Sequence, residues 1–225
     1  MSDTIGKDLE GKNFSVRVTD VLSIEVRDRD GRVVWASASE TPPTVTLVDG
    51  QTCALSSAQK IDTDAFDEGG FRGHRITLEG FGDCDARLEL VVALDAASDT
   101  LMVGVEEPGG GDAVKEVGHL YRFEKPVSDG GHLVLPAGSG HLIPADCPDE
   151  LPGPRLHLDG AETIVNFIGR HWTLPMFGVV RGDDAMCIIV DDWCDCWVDA
   201  QHRPGDLSAL DFRWAPSLGK LAYPR

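Results

Sequence analysis

Leu88-Glu89-Leu90-Val91-Val92-Ala93-Leu94 sets leucine or valine at every second position, and that alternation decides the fold class. A strand turns successive side chains to opposite faces, so Leu88, Leu90, Val92 and Leu94 share one face of a half-buried strand. The same period of two recurs outward from this stretch. Phe14, Val16 and Val18 alternate with Ser15, Arg17 and Thr19, and Leu22, Ile24 and Val26 repeat the pattern. Asp28-Arg29-Asp30-Gly31 then turns the chain into 32–37, and Val45 and Leu47 alternate before an Asp49-Gly50 turn. Strands are also predicted over 101–105, 117–123, 132–135, 163–168, 177–180, 186–190 and 207–214.

No stretch carries a sustained helical stripe with caps; the best helical candidate is 55–61. Strands at roughly ten-residue spacing, with Gly, Pro and Asp between them, indicate an all-β fold. About a dozen strands suit a single large antiparallel β-sandwich spanning residues 1–225. Pro108-Gly109-Gly110-Gly111-Asp112 reads as a hairpin tip within that domain rather than a linker.

The chain has 225 residues, with 20 Lys+Arg against 38 Asp+Glu and a net charge of −18. A nucleic-acid binder needs a basic face, and an anionic membrane repels such a chain, so neither is an expected partner. The 42% apolar content is enough for a real core. Apolar runs such as 185–190 are about six residues, far short of the ~20 of a membrane helix. Met1-Ser2-Asp3-Thr4-Ile5-Gly6 shows no secretory signal, which makes the cytoplasm the expected location. Cys53, Cys84, Cys147, Cys187, Cys194 and Cys196 are scattered and read as reduced thiols.

Asp191-Asp192-Trp193-Cys194-Asp195-Cys196-Trp197 is the densest cluster of chemistry. On a strand, Trp193, Asp195 and Trp197 share a face, where a carboxylate between two indoles suits sugar hydroxyls and ring stacking. A strand leaving the core explains the same residues. Trp172, Trp193 and Asp195 are therefore the candidate carbohydrate-binding residues. Cys194-Asp195-Cys196 lacks the second Cys or His pair of a zinc site. Asp62-x-Asp64-x-x-Asp67-Glu68 fails as a calcium loop, since Gly73 stands where the bidentate Glu belongs, and reads as a solvated acidic loop. His119, His132, His141, His157 and His171 show no spacing that selects an acid/base pair. No catalytic residue, metal ligand or cofactor is assigned.

From Leu133 onward the motifs become specific. Leu135-Pro136-Ala137-Gly138-Ser139-Gly140-His141-Leu142-Ile143-Pro144 encodes a strand, a sharp corner and a second strand. Leu174-Pro175-Met176-Phe177-Gly178-Val179, the acidic cluster and Trp214-Ala215-Pro216-Ser217-Leu218-Gly219-Lys220-Leu221-Ala222-Tyr223-Pro224-Arg225 follow in order. This succession resembles the N-terminal galactose-mutarotase-like β-supersandwich of large glycoside hydrolases, most of all the endo-α-N-acetylgalactosaminidase type. The resemblance covers roughly 131–225. It implies a non-catalytic module that packs on a C-terminal (β/α)₈ catalytic barrel and contributes to carbohydrate binding. It also implies an apolar docking patch near the C-terminal end, larger than the few hundred Å² usual on a monomer. Three other readings stay open: a stand-alone carbohydrate-binding protein, an aldose epimerase, and a purely structural β domain.

Overall fold

The computed structural model describes residues 8–36, 41–109, 113–126, 130–136, 140–147, 176–182, 184–190, 196–202 and 207–215. Among these residues the chain is a set of antiparallel sheets with short 3-10 turns and no α-helix, the all-β class that the alternation predicts. It divides into two compact units, Met1–Tyr121 with Arg213–Arg225, and Arg122–Phe212.

The first unit opens with a four-stranded meander: β1 (Leu9–Glu10), β2 (Phe14–Val18), β3 (Ile24–Asp28) and β4 (Val33–Ala36). Asp28 makes the turn after β3, its Oδ1 accepting the amides of Asp30 and Arg32 at 2.9 Å each, with Gly31 at φ +78°. The hairpin of β5 (Thr44–Leu47) and β6 (Thr52–Ala54) uses the same device, with Asp49 Oδ1 accepting from the Gln51 amide at 2.8 Å. Four long strands follow: β7 (Lys60–Glu68), β8 (Phe71–Phe81), β9 (Cys84–Asp95) and β10 (Thr100–Gly109), in the order β10–β9–β8–β7. β11 (Val114–Pro126) pairs through its first part with β5. Just beyond that pairing, His119 sits in the left-handed region at φ +57°, a bend that costs a β-substituted residue about 1–2 kcal/mol.

Val16, Ile24, Ile76, Leu78, Leu88 and Leu90 are at most 1% exposed and form the core of this unit. Each such side chain contributes about 1.5–3 kcal/mol by leaving water. At the rim, Asp99 between β9 and β10 holds the loop between β1 and β2. Its carboxylate accepts the backbone amides of Lys12 (2.7 Å) and Asn13 (3.2 Å) and the side-chain amide of Asn13. Desolvation pulls the Asp99 carboxyl up, but the amide donors of Asn13 and Lys12 outweigh it and hold the group below the ordinary carboxylate value.

In the second unit, β12 (His132–Leu135), β13 (His141–Pro144), β14 (Met176–Arg181) and β15 (Asp184–Ile189) form a sheet in the order β13–β12–β14–β15. β16 (Cys196–His202), β17 (Leu207–Trp214) and the last part of β11 lie side by side. Leu133, Leu135, Phe177, Val179 and Leu210 are buried, and the Phe177 ring meets the edge of Phe212 at 5.6 Å between centroids.

Three expectations are corrected. The helical candidate 55–61 is a 3-10 turn, Leu55–Ser57, running into β7. The acidic loop around Asp62–Glu68 is β7 itself, nine residues paired in register with β8. The strand of Leu88–Leu94 is not half-buried: Val91 and Ala93, on the second face, are as buried as Leu90 and Leu94.

Candidate functional site

Trp172, Trp193 and Asp195 all lie outside the described residues, as do Cys194 and the predicted strand over 163–168. β16 begins at Cys196, so the last two residues of the cluster, Cys196 and Trp197, open that strand. Of the other tryptophans, Trp35 and Trp214 are 8% and 9% exposed and belong to the core. Cys53, Cys84 and Cys187 are free thiols. Among the described residues no group of three or more His, Cys, Asp or Glu is placed to hold a metal ion, and no helix is long and apolar enough to cross a membrane. The described residues instead offer two sheet faces of opposite character.

On the first unit's long sheet, the face turned away from the Leu88–Leu94 side carries an unbroken line of charge. Asp62, Lys60, Glu79, Arg87, Glu89, Arg75 and Glu68 are linked in that order by ion pairs of 2.6 to 3.8 Å. Hydrogen bonds to Asp62 and Glu79 raise the Lys60 ammonium above its ordinary value. Beside this line Phe66, Val91 and Ala93 form an apolar cluster edged by Phe71 and Met102, and Arg75 stands 5.4 Å from the Phe66 ring centroid. Gly73 permits this packing. A Cβ there would come within 2.1 Å of the Val92 carbonyl oxygen and 2.5 Å of the Ala93 Cα.

The second unit's four-stranded sheet differs. Pairing aligns Leu142, Val134, Gly178 and Cys187 in one row across β13, β12, β14 and β15. The row of Pro144, His132, Val180 and Ala185 lies two residues to one side, and the Met176–Ile189 pair two residues to the other. Alternation puts all ten on one face, while Leu133, Ile143, Phe177 and Val179 fill the opposite, buried face. Leu142 is 61% exposed, Met176 42% and Ile189 70%, three of the six large apolar side chains exposed among the described residues. Among its described positions the face holds no Asp, Glu, Lys or Arg. Centre to centre it measures about 14 Å each way, on the order of 300 Å² with its side-chain margins.

The sequence held a signal for this face. Ala185-Met186-Cys187-Ile188-Ile189-Val190 is apolar without alternation, the pattern of a strand covered on both sides. Here only one side is covered. The apolar patch expected near the C-terminal end is not placed by the described residues, which end at 215.

A buried ion pair completes this unit: Arg122 Nη1 stands 3.4 Å from Asp211 Oδ2, with Asp211 fully buried. Two charges so far from water serve as a fixed internal brace, since leaving either uncompensated is costly.

No protein family model matches the sequence, and no curated protein does. Solved structures do share the fold. The chain is similar to alpha-N-acetylgalactosaminidase NagBb from Bifidobacterium bifidum in its GalNAc complex, at a TM-score of 0.80 and 19% identity. The Gal-NHAc-DNJ complex gives 0.79 and 18%, and the ligand-free form 0.78 and 17%. Each match takes in 97% of this chain but only 34–35% of the solved one. The chain therefore has the fold of about one third of a much longer polypeptide.

Proposed function

We propose that this chain is the non-catalytic, galactose-mutarotase-like β module of a glycoside hydrolase, working beside a (β/α)₈ barrel that carries the catalytic carboxylates. The observation that supports it is the near-complete match of this chain, at TM-score 0.80, to one third of an α-N-acetylgalactosaminidase. The ordered motifs of 131–225 support the same class independently. In this reading the module positions the barrel, and Trp172, Trp193 and Asp195 contribute to carbohydrate binding at its border.

The test is an assay with a chromogenic α-N-acetylgalactosaminide. The 225-residue chain should leave it intact, and the polypeptide that the whole gene encodes should hydrolyse it. Turnover by the 225 residues alone would contradict the non-catalytic role. Titration calorimetry with N-acetylgalactosamine checks the binding residues: heat that disappears in Trp193→Ala supports them, and no heat with any sugar removes them.

A further inference from the structure

We infer that the uncharged face of the β13–β12–β14–β15 sheet, centred on the row Leu142–Val134–Gly178–Cys187, is the surface on which the glycosidase's catalytic domain docks. The inference rests on the proposed function and adds which face of the module makes the contact.

Three observations select this occupant. The face carries no charged residue among its described positions, in a chain where charged residues make up 26%. An apolar protein surface therefore fits it. A sugar does not, because the described positions of the face hold no Phe, Tyr or Trp to stack on and offer only His132 and Cys187 as polar side chains. Its size is the second observation. At on the order of 300 Å² it falls well short of the ~800 Å² per partner of a stable interface between separate molecules. A domain on the same polypeptide needs no such area, because tethering supplies an effective concentration in the millimolar range. The third is charge. Two copies of a chain at −18 repel each other, which disfavours a symmetric dimer through a patch this small. The solved chains of this fold extend over nearly three times its length, so a tethered neighbour is the arrangement they supply.

Cys187 is a built-in reporter, an exposed free thiol in the central row, with the half-buried Cys53 and Cys84 of the first unit as references. Timed alkylation with peptide mapping compares the 225-residue chain with the polypeptide encoded by the whole gene. Cys187 should react at least tenfold more slowly in the longer polypeptide, while Cys53 and Cys84 keep their rates. Ile189→Asp in the longer polypeptide should restore the fast rate. Equal Cys187 rates in a preparation that hydrolyses the α-N-acetylgalactosaminide would overturn the docking face and leave the functional reading standing. Protection without hydrolysis would overturn the glycosidase reading, and the identity of the partner with it. A gene that encodes nothing beyond these 225 residues would overturn both.

Discussion

The two four-stranded sheets solve the same problem in opposite ways. In the first unit the outer face of β10–β9–β8–β7 is largely closed upon itself: seven of its charges are joined in one line, and its apolar side chains bury one another around Ala93. In the second unit the outer face of β13–β12–β14–β15 leaves Leu142, Met176 and Ile189 to solvent. The lesson is that composition alone does not separate a satisfied face from an open one. Val91 and Ile189 look alike in the sequence, yet Val91 is 3% exposed and Ile189 is 70%.

The sharpest way to break this comparison is to put the same charge at the centre of each face. Ala93→Glu forces a carboxylate into a fully buried position, which costs several kcal/mol, enough to unfold a marginally stable domain. Cys187→Glu adds a charge to a solvated surface and should change stability by no more than about 0.5 kcal/mol in the 225-residue chain. Urea titrations of both variants give the answer. Similar midpoints would mean that the two faces are equally open.

Next in size are the ion pairs. Arg122→Ala strips the buried Asp211 carboxylate of an ionic partner and should cost about 3–5 kcal/mol. Arg87→Ala removes one link from the exposed line and should cost under about 1 kcal/mol. A smaller contrast lies in the glycines. Gly73→Ala drives a methyl group into backbone and should cost about 1–3 kcal/mol. Gly178→Ala meets Val134 Cβ at 3.2 Å and should cost less than that. Equal losses in either pair would erase the distinction drawn from packing.

The smallest effect is acid sensitivity at the Asp99 clasp. The folded-state pKa lies below the unfolded value of about 3.9, so the clasp contributes stability above that pH and loses it as the pH falls through the folded value. Asp99→Asn should flatten the fall in melting temperature below about pH 4. An unchanged pH profile would show that the clasp does not contribute.

Clean alternation made parts of the fold legible in the sequence. β12 and β17 have the predicted limits, and β2 follows the alternation of Phe14, Val16 and Val18 that was read for it. β7 and β8 were missed for a physical reason. Their inner positions include Thr63, Ala65 and His74, weak signals for a core, while Phe66 sits on the opposite face among acids. Val91 and Ala93 were read as solvent-facing because nothing local reveals that Phe66 and Met102 arrive from neighbouring strands to cover them. The candidate residues Trp172, Trp193 and Asp195 were chosen for their chemistry and lie outside the described residues. The apolar sheet face went unread for a different reason: a run such as 185–190 looks like core until the sheet it joins is known to be open on one side.

The central claim is that the second unit's open sheet face is an interface, and one pair of melting temperatures tests it most directly. Ile189→Asp should change that of the 225-residue chain by no more than about 2 °C, because the side chain there is 70% exposed. In the polypeptide encoded by the whole gene the same substitution should lower it by about 5 °C or more, because the aspartate would then be buried against the catalytic domain. Equal, small shifts in both would contradict the account.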